Sequence, residues 1–281
     1  MKVFNTVSQL QEVLQQERNN GKTIGFVPTM GALHEGHLSL VKQCLAHYDI
    51  CVVSIFVNPT QFNDAKDLET YPRTPNEDLE ALQRSGCEYV FMPSIEEIYP
   101  QPDQRVFDFG VIGEIMEGAH RPGHFNGVAQ VVSRLFAIVA PEGAFFGEKD
   151  FQQIAIVRSM VKQLQLAIQI HSCPIIREES GLALSSRNKR LSADSQPYAP
   201  IIYKTLIESK QMIREHTPEE VRLFVLNTLA NTPHLRPEYY EIVDAETLTP
   251  ISSWSSSSDP VGCITCYCGE VRLIDNIHYL A

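Results

Sequence analysis

Strand-like and helix-like patterns alternate along the first two-thirds of the chain. Short apolar runs rich in β-branched residues predict strands, whereas longer amphipathic stretches with helical spacing predict helices. The predicted strands are residues 23–29 (ended by Pro28), 49–57, 87–93, 143–147 and 167–176. The predicted helices are residues 7–19, 38–48, 76–86, 125–141 and 151–166. This alternation is typical of an α/β protein with a doubly wound parallel sheet.

The pattern changes after about residue 176. Residues 192–216 predict one helix and residues 217–232 a second, with Thr217 as N-cap and Glu220 closing a capping box. Strand-like segments follow, at residues 238–248 and 263–275. Helices followed by strands favour a smaller C-terminal α+β domain. The sequence therefore predicts two domains, 1–176 and 177–281.

Composition and charge exclude several classes of protein. The chain has 281 residues, 43% hydrophobic and 20% charged, with a net charge of -11. So acidic a chain repels polyanions, which argues against nucleic acid or an anionic membrane as partner, although a local basic cluster can still bind a small anion. No apolar run approaches the ~18 residues of a membrane span. The N-terminal segment lacks the apolar region of a signal peptide, so we expect a cytoplasmic protein.

Seven cysteines are present, and three of them, Cys263, Cys266 and Cys268, are clustered. In a cytosolic chain of this length they are expected to be thiols rather than disulfides. A second CxxC or a histidine pair, which a zinc site would need, does not follow. We therefore interpret the cluster as small residues in a buried strand, and its redox sensitivity stays open.

A histidine-containing segment, PTMGALHEGHLSLV at residues 28–41, follows a predicted strand and opens a helix. In doubly wound sheets, ligands bind beyond the carboxyl ends of the strands. Gly31 permits a tight turn, and a helix start offers N–H groups and positive potential, which suit phosphate. His34 and His37 share a helix face, but zinc-binding pairs on helices have the longer spacing H-E-x-x-H. The spacing favours phosphate over metal; surface histidines beside a helix cap are the alternative.

Two further loops follow predicted strands. Residues 53–62 present Gln61, whose amide both donates and accepts hydrogen bonds and so suits a small polar substrate; an ordinary Asn-Pro turn is the alternative. After the strand at 143–147, Lys149 is a mobile point charge of the kind used on phosphates. Asp150 and Gln153 have the spacing of a capping box, which predicts Asp150 as a helix cap.

Two basic segments are harder to interpret. Residues 116–128 carry His120, Arg121 and His124 before a helix, with Asn126 as its expected N-cap; an anion site and a subunit contact both stay open. Residues 175–192 concentrate the basic side chains Arg177, Arg187, Lys189 and Arg190 in an acidic chain. Such runs are usually solvated, yet the position at the domain junction favours a ligand lid. The sequence contains neither GxxxxGK[ST] nor GxGxxG, so a nucleotide would be held by the histidine segment.

Together these motifs resemble a known family. The H-x-G-H of residues 34–37 is similar to the signature of the nucleotidylyltransferase and class I tRNA synthetase superfamily. Other segments occur in the order found in the pantoate–β-alanine ligase family: VSIFVNPTQF, YPRTPNEDLE, EGAHRPGHFNGV, FFGEKDFQQ and GLALSSRN. The resemblance covers nearly the whole chain and ends with RLIDNI at residues 272–277.

The resemblance implies a Rossmann-like ATP- and pantoate-binding domain at residues 1–176 and a lid domain at 177–281. It also implies a ligation in two half-reactions. The carboxylate of (R)-pantoate attacks the α-phosphorus of ATP, giving pantoyl adenylate and pyrophosphate. The amine of β-alanine then attacks the adenylate, giving pantothenate and AMP. Mg²⁺ as cofactor and a homodimer are further implications.

Site residues follow from the same resemblance. The implied catalytic residues are His34, His37, Lys149 and Arg187, with His37 as the acid. The implied ATP contacts are Met30, Gly31, Ala32, Leu33, His34, Glu35, Gly36, His37, Gly147, Glu148, Lys149, Asp150, Ile176 (by its backbone), Leu184, Ser185, Ser186 and Arg187. Gln61 and Gln153 would hold pantoate, with Gln61 also near β-alanine. An acidic pair that the family links to Mg²⁺ falls at Glu77 and Asp78, which makes Asp78 the candidate metal ligand, although this segment equally predicts a helix start.

Two other functions stand beside the ligase as alternatives. A nucleotidylyltransferase would transfer AMP to a phosphate acceptor and stop there, and a nucleotide sensor would bind ATP without turnover. The paired glutamines, and the lack of a second basic acceptor segment in the sequence, favour the ligase over the transferase. The full set of His34, His37, Lys149 and Arg187 favours an enzyme over a sensor.

Overall fold

The computed structural model describes residues 1–62 and 65–280, and Ala65 by its backbone alone. The chain folds as two compact units. The first comprises Met1–Gly147 and Gln153–Pro174, and the second comprises Glu148–Gln152 and the residues from Ile175 onward. None of the described helices combines the length and hydropathy that crossing a bilayer requires.

A parallel sheet organises the first unit. Its described strands are β1 (Lys2–Phe4), β2 (Ile24–Thr29), β3 (Ile50–Ile55), β4 (Tyr89–Phe91), β5 (Gly143–Gly147) and β6 (Gln169–Cys173). Their spatial order is β1-β4-β3-β2-β5-β6, so the order reverses at β2, where β3 lies on one side and β5 on the other. This is a Rossmann-like doubly wound sheet and confirms the predicted fold class. At such a reversal, the carboxyl ends of β2 and β5 lie side by side, which is where ligands of these folds bind.

Helices cover both faces of that sheet. They are α1 (Val7–Asn19), α2 (Glu35–His47), α3 (Ala65–Glu69), α4 (Pro75–Arg84), α5 (Ile95–Ile98), α6 (Glu117–His120), α7 (His124–Val139) and α8 (Phe151–Gln163). Successive strand residues point to opposite faces: Phe26 packs in the cluster that contains α1 and α7 residues, and Val27 in the cluster that contains α2 residues. Because both faces are buried, the strands have continuous apolar runs, which is why they were detectable.

A small antiparallel sheet forms the second unit, with β7 (Leu235–Asp244), β8 (Pro260–Cys268) and β9 (Val271–His278) in the order β7-β8-β9. It packs with α9 (Ile201–Lys210) and α10 (Pro218–Ala230) around one apolar cluster. The predicted capping box is confirmed, since Thr217 Oγ1 accepts the Glu220 N–H and the Glu220 carboxylate accepts the Thr217 N–H. The three clustered cysteines lie buried in β8, as predicted.

Prolines explain two differences from the predicted elements. β2 was predicted at residues 23–29 with Pro28 as its stop; the strand contains Pro28 and ends one residue later, at Thr29. Pro28 lies beyond the last β2–β5 pair, Phe26↔Ala144, so its missing N–H breaks no bond of that pairing. The single helix predicted for residues 192–216 is instead a 3-10 turn, Gln196–Tyr198, followed by α9, which begins directly after Pro200. Pro197 and Pro200 have no N–H to donate to the preceding turn of a continuous helix, which accounts for the division.

Helix α7 begins earlier than expected. Its N-cap is Gly123, with a φ of 80°, and Asn126 lies within the first turn. The prediction of Asn126 as N-cap was wrong, because a left-handed glycine opens this helix where a polar side chain was expected. The Asn126 side chain is used elsewhere: its Oδ1 accepts the Phe107 N–H at 2.9 Å and its Nδ2 donates to the Arg105 carbonyl at 3.3 Å.

Candidate active site

The histidine pair lies at the start of α2, directly after β2. His34 is the N-cap residue, in extended conformation. Its Nδ1 accepts the Gly36 N–H at 3.2 Å, and Nδ1 of His37 accepts the His34 N–H at 3.3 Å. The two ring centroids are 4.1 Å apart. The histidines therefore cap the helix with their own side chains and lie together on its first turn.

Those two hydrogen bonds define the proton positions of the neutral rings. A ring nitrogen that accepts an N–H carries no proton, so Nδ1 is unprotonated in both His34 and His37. The neutral rings then hold their protons on Nε2, a position from which an imidazole can donate to an anion. Helix capping uses Nδ1 of both rings, so it does not compete with the predicted phosphate contacts through Nε2. The positive potential of the helix N-terminus adds to the attraction for a phosphate group.

A buried carboxylate fixes the loop between β2 and α2. Asp78, in the first turn of α4, is 2% exposed. Its Oδ2 accepts the Ala32 N–H at 2.9 Å, and its Oδ1 accepts the Leu33 N–H at 2.7 Å and the Thr74 hydroxyl at 3.1 Å. Ala32 has a φ of 50°, a left-handed conformation that costs a non-glycine residue about 1 kcal/mol. The carboxylate stabilises this strained turn.

The same contacts bear on the expected metal site at Asp78. Both carboxylate oxygens already accept hydrogen bonds from protein groups, and the side chain is buried. Within residues 1–62 and 65–280, no group of three or more His, Cys, Asp or Glu side chains is arranged to hold a metal ion. Asp78 therefore anchors the loop, and its role as a Mg²⁺ ligand stays a prediction, since Mg²⁺ in nucleotide sites is held by one or two carboxylates together with phosphates and water.

Gln61 closes the 3-10 turn Pro59–Gln61 that follows β3. Asn58, 1% exposed, caps this turn, and its Nδ2 donates to Gln61 Oε1 at 3.3 Å. Gln61 Nε2 contacts Met30 Sδ at 2.9 Å. The Asn-Pro turn is therefore real, and it also places the candidate substrate amide beside the residue that begins the histidine loop. Sequence reasoning gave Asn58 a role only in the alternative interpretation, the Asn-Pro turn, and not in supporting Gln61.

Lys149 belongs to the second unit, in the 3-10 turn Glu148–Asp150. Asn276 Nδ2 donates to the carbonyls of Glu148 at 2.7 Å and Lys149 at 3.3 Å. Lys149 Nζ lies 3.4 Å from Asp150 Oδ2. The 3-10 turn continues directly into α8, so Asp150 immediately precedes that helix, and its role as the helix cap stays a prediction. The backbone that carries Lys149 is thus held by a side chain close to the C-terminus.

The basic segment of the second unit separates into different roles. Arg177 makes two hydrogen bonds to Asp275, at 2.7 and 2.9 Å, and its guanidinium carbon lies 3.5 Å from the centre of the Tyr203 ring. Arg177 is therefore structural, and the expectation that it joins a ligand lid finds no support in these contacts. The Leu184 N–H donates to the Ile176 carbonyl at 3.0 Å. Those two residues are adjacent to Arg177 and Ser185, so the ion pair supports the segment that leads to Arg187.

The site residues expected from the sequence divide between the units. Those of the first unit are Met30, Gly31, Ala32, Leu33, His34, Glu35, Gly36, His37, Gln61, Asp78, Gly147 and Gln153. Those of the second unit are Glu148, Lys149, Asp150, Ile176, Leu184, Ser185, Ser186 and Arg187. Within the first unit, direct contacts join the histidine loop to Asp78 and Met30 to Gln61. Within the second, Asn276 holds the Lys149 turn.

Comparison with known proteins identifies the family. The model of the family described as pantoate-beta-alanine ligase matches residues 2–278. The chain belongs to this family. The pantothenate synthetase of Porphyromonas gingivalis (strain W83) is 59% identical over 279 residues, 99% of each chain. That of Phocaeicola vulgatus is 56% identical over 280 residues, again 99% of each chain.

Solved structures of pantothenate synthetases share the fold of this ligase. The enzyme of Thermus thermophilus superposes with a TM-score of 0.93 at 40% identity, covering 100% of both chains. The pantoate-beta-alanine ligase of Francisella tularensis, complexed with beta-gamma ATP and beta-alanine, gives a TM-score of 0.82 at 35% identity, covering 100% of this chain and 98% of the other.

Proposed function

We propose that this ATP-dependent ligase condenses (R)-pantoate with β-alanine, giving pantothenate, AMP and pyrophosphate through a pantoyl adenylate. The observation that carries the proposal is the pair His34 and His37 on the first turn of α2, at the carboxyl edge of a doubly wound sheet. Membership of the pantoate-beta-alanine ligase family over residues 2–278 supports the choice of substrates. So does the Francisella tularensis relative, which was complexed with beta-gamma ATP and beta-alanine.

In the first half-reaction, a pantoate carboxylate oxygen attacks the α-phosphorus of ATP and the bond to the bridging oxygen breaks. Negative charge then develops on the departing pyrophosphate. We assign the Nε2–H groups of His34 and His37, and the ammonium of Lys149, to these phosphate oxygens, with His37 as the acid and Arg187 as a further cationic donor. A preorganised donor of this kind typically lowers the barrier by about 3–4 kcal/mol.

In the second half-reaction, the neutral amine of β-alanine attacks the acyl carbon and the bond to AMP breaks. AMP is a good leaving group, so the step requires positioning more than it requires a dedicated base. We assign pantoate to the side-chain amides of Gln61 and Gln153. The Gln61 amide is supported by Asn58 and Met30, so it can meet the substrate with little loss of side-chain entropy.

Several finer assignments belong to this proposal. The ATP contacts are those that the family resemblance implies. In the first unit they are Met30 to His37 and Gly147, and in the second unit Glu148 to Asp150, Ile176 and Leu184 to Arg187. Mg²⁺ would accompany the ATP phosphates and neutralise part of their charge. The division into a substrate domain at 1–176 and a lid at 177–281, a homodimer and a cytoplasmic location also remain predictions.

The test is a reaction with ATP, Mg²⁺, (R)-pantoate and β-alanine, with each component omitted in turn and the products identified by mass. We expect pantothenate and AMP only when all are present, and pantoyl adenylate when β-alanine alone is left out. A nucleotidylyltransferase would transfer AMP to a phosphate acceptor without any dependence on β-alanine, and that result would overturn the proposal.

A further inference from the structure

The segment Glu117–His124, whose role the sequence left open, makes its contacts with the candidate substrate loop. His124 is 7% exposed, and its Nδ1 lies 2.8 Å from the backbone carbonyl oxygen of Gln61. Arg121 Nη2 donates to the same oxygen at 3.4 Å. One carbonyl of the first unit thus receives two side-chain donors, and that carbonyl belongs to the residue assigned to pantoate.

The geometry also defines the state of the His124 ring. Nδ1 faces a carbonyl oxygen, which can only accept, so Nδ1 carries a proton. Nε2 lies 3.1 Å from Arg121 Nη1, which can only donate, so Nε2 accepts and the ring is neutral. Arg121 Nη1 in turn lies 3.5 Å from Glu117 Oε2, a carboxylate 8% exposed. Glu117, Arg121 and His124 therefore form a connected polar chain that ends on Gln61.

The opposite side of the same turn is also fixed by α7. Asn58 Nδ2 donates to the Gly127 carbonyl at 3.2 Å while it contacts the Gln61 side chain. A Cβ at Gly127 would lie 2.5 Å from the Thr60 carbonyl oxygen, so the helix backbone touches the turn there. The backbone of Gln61 is consequently held from the His124 side, and its amide from the Asn58 side. Met30 contacts the other end of the same side-chain amide, at Nε2.

We propose that His124 and Arg121 are positioning residues that fix the Gln61 backbone and thereby aim its amide at pantoate. This inference rests on the proposed role of Gln61. It gives the segment a role different from both the anion site and the subunit contact considered earlier, because the ring and the guanidinium hold a backbone carbonyl and a neighbouring carboxylate. In well-oriented active sites, a misplacement of about 1 Å can cost about a hundredfold in rate, so holding one carbonyl has a measurable effect on the substrate.

The test compares two substitutions at one position. His124→Asn keeps an N–H donor close to the position of Nδ1, whereas His124→Leu removes it. For His124→Leu we expect KM for pantoate to rise about 10- to 100-fold, with KM for ATP within about twofold. His124→Asn should recover most of that loss. His47→Asn, the same change in an exposed histidine of α2, is the matched control and should behave like the unaltered protein.

A double-mutant cycle with Gln61→Ala isolates the route of the effect. If His124 acts through Gln61, His124→Leu should change KM for pantoate less than about twofold in the Gln61→Ala background. Arg121→Lys, which keeps the charge near Glu117 but loses the fork of donors, should raise KM for pantoate by a smaller factor in the native background. It serves as the second variant if His124→Leu does not fold.

The outcomes separate this inference from the function on which it rests. If Gln61→Ala raises KM for pantoate while His124→Leu and Arg121→Lys do not, the positioning role is overturned and the assignment of Gln61 stands. If Gln61→Ala leaves KM for pantoate unchanged, the assignment of Gln61 fails and the inference fails with it. The positioning role is also overturned if His124→Leu raises KM equally for ATP, pantoate and β-alanine, lowers the melting temperature, and is not improved by His124→Asn. The contacts would then serve only the packing of the fold.

Discussion

Asp78 accepts the backbone N–H of Ala32 at 2.9 Å, and this bond ties the first turn of α4 to the loop that precedes the histidine pair. The adjacent Leu33 N–H is accepted by the other carboxylate oxygen at 2.7 Å. Two successive N–H groups facing one carboxylate form a strong, charge-assisted arrangement. A position that the family resemblance associates with Mg²⁺ therefore acts here on the protein backbone, and through it on His34.

Asp78→Asn tests that interpretation. An amide retains only one acceptor oxygen, so its NH₂ group must face a buried backbone N–H, at a cost of about 1–3 kcal/mol. We expect adenylate formation, measured as pyrophosphate release, to slow by about tenfold or more. A cost of this size, if it falls on the transition state, corresponds to roughly 10- to 100-fold in rate. The Mg²⁺ concentration for half-maximal rate should not change. Glu80→Gln, at an exposed position of the same helix, is the control. If Asp78→Asn shifts only the Mg²⁺ dependence, Asp78 is a metal ligand.

His37→Asn separates the two nitrogens of the His37 ring. The amide oxygen of asparagine can occupy the position of Nδ1 and keep the bond from the His34 N–H, while the Nε2–H donor is lost. The melting temperature should therefore change little, and the first half-reaction should slow by about 10²- to 10³-fold. Supplying preformed pantoyl adenylate tests the second half-reaction, which should lose less.

The control for that substitution lies on the same helix. His47→Asn alters an exposed histidine at the C-terminal end of α2, the opposite end from His37, and should leave both half-reactions unchanged. Equal losses in the two half-reactions for His37→Asn would contradict an assignment to the pyrophosphate end. The same measurements on His34→Asn would show how much each histidine contributes to each half-reaction.

Local sequence patterns predicted those parts of the fold that depend on nearby residues. The strand at residues 50–55 was evident because both of its faces are buried, and the helix after Thr217 because its capping box is complete within four residues. The start of α7 was missed because Gly123 takes a left-handed conformation that only glycine adopts readily. The strand Lys2–Phe4 was missed because three residues are too few to show a period of two.

The supports of the candidate site are less accessible to sequence reasoning because they are distant along the chain. Asn276 lies 127 residues from Lys149, and Asp78 lies 46 residues from Ala32. Residue types at these positions indicated a polar role, but no spacing rule relates them to a particular carbonyl or N–H. The sequence therefore left Asp78 open between a metal ligand and part of a helix start, because the backbone N–H groups of Ala32 and Leu33 that it accepts carry no trace in the sequence.

Asn276→Asp tests whether the Lys149 turn needs its distant support. The substitution replaces a donor with a carboxylate oxygen that faces the carbonyls of Glu148 and Lys149, so a buried attraction becomes a repulsion. We expect pyrophosphate release to slow by about tenfold or more. In a Lys149→Ala background the same change should have little further effect, because the two residues then act as one unit. If the rate losses of the two single variants multiply in the double variant, Asn276 acts independently of Lys149. Asn231→Asp, which changes an exposed amide at a helix end, provides the control.

A buried carboxylate outside the candidate site predicts how stability depends on pH. Asp103 accepts hydrogen bonds from Arg105 at 2.6 Å and from Arg134 at 2.7 Å, and its side chain is 3% exposed. These guanidinium groups, Arg105 above all, hold the pKa of Asp103 well below its usual range. A carboxyl group whose pKa is lowered on folding stabilises the fold above its unfolded pKa of about 3.9, and that contribution is lost as the pH falls through the folded value.

Asp103→Asn should therefore destabilise the protein in a pH-dependent way. Because Arg105 is 43% exposed, solvent screens part of the interaction, and we expect the free energy of unfolding to fall by about 1–2 kcal/mol at neutral pH. The difference from the unaltered protein should narrow below about pH 4, as the Asp103 carboxylate of the unfolded chain begins to take up a proton. Urea unfolding of both proteins across that range measures the difference, with Asp194→Asn as an exposed control. A gap that stays constant with pH would mean that Asp103 stabilises the fold by its shape and packing, and that its charge contributes nothing.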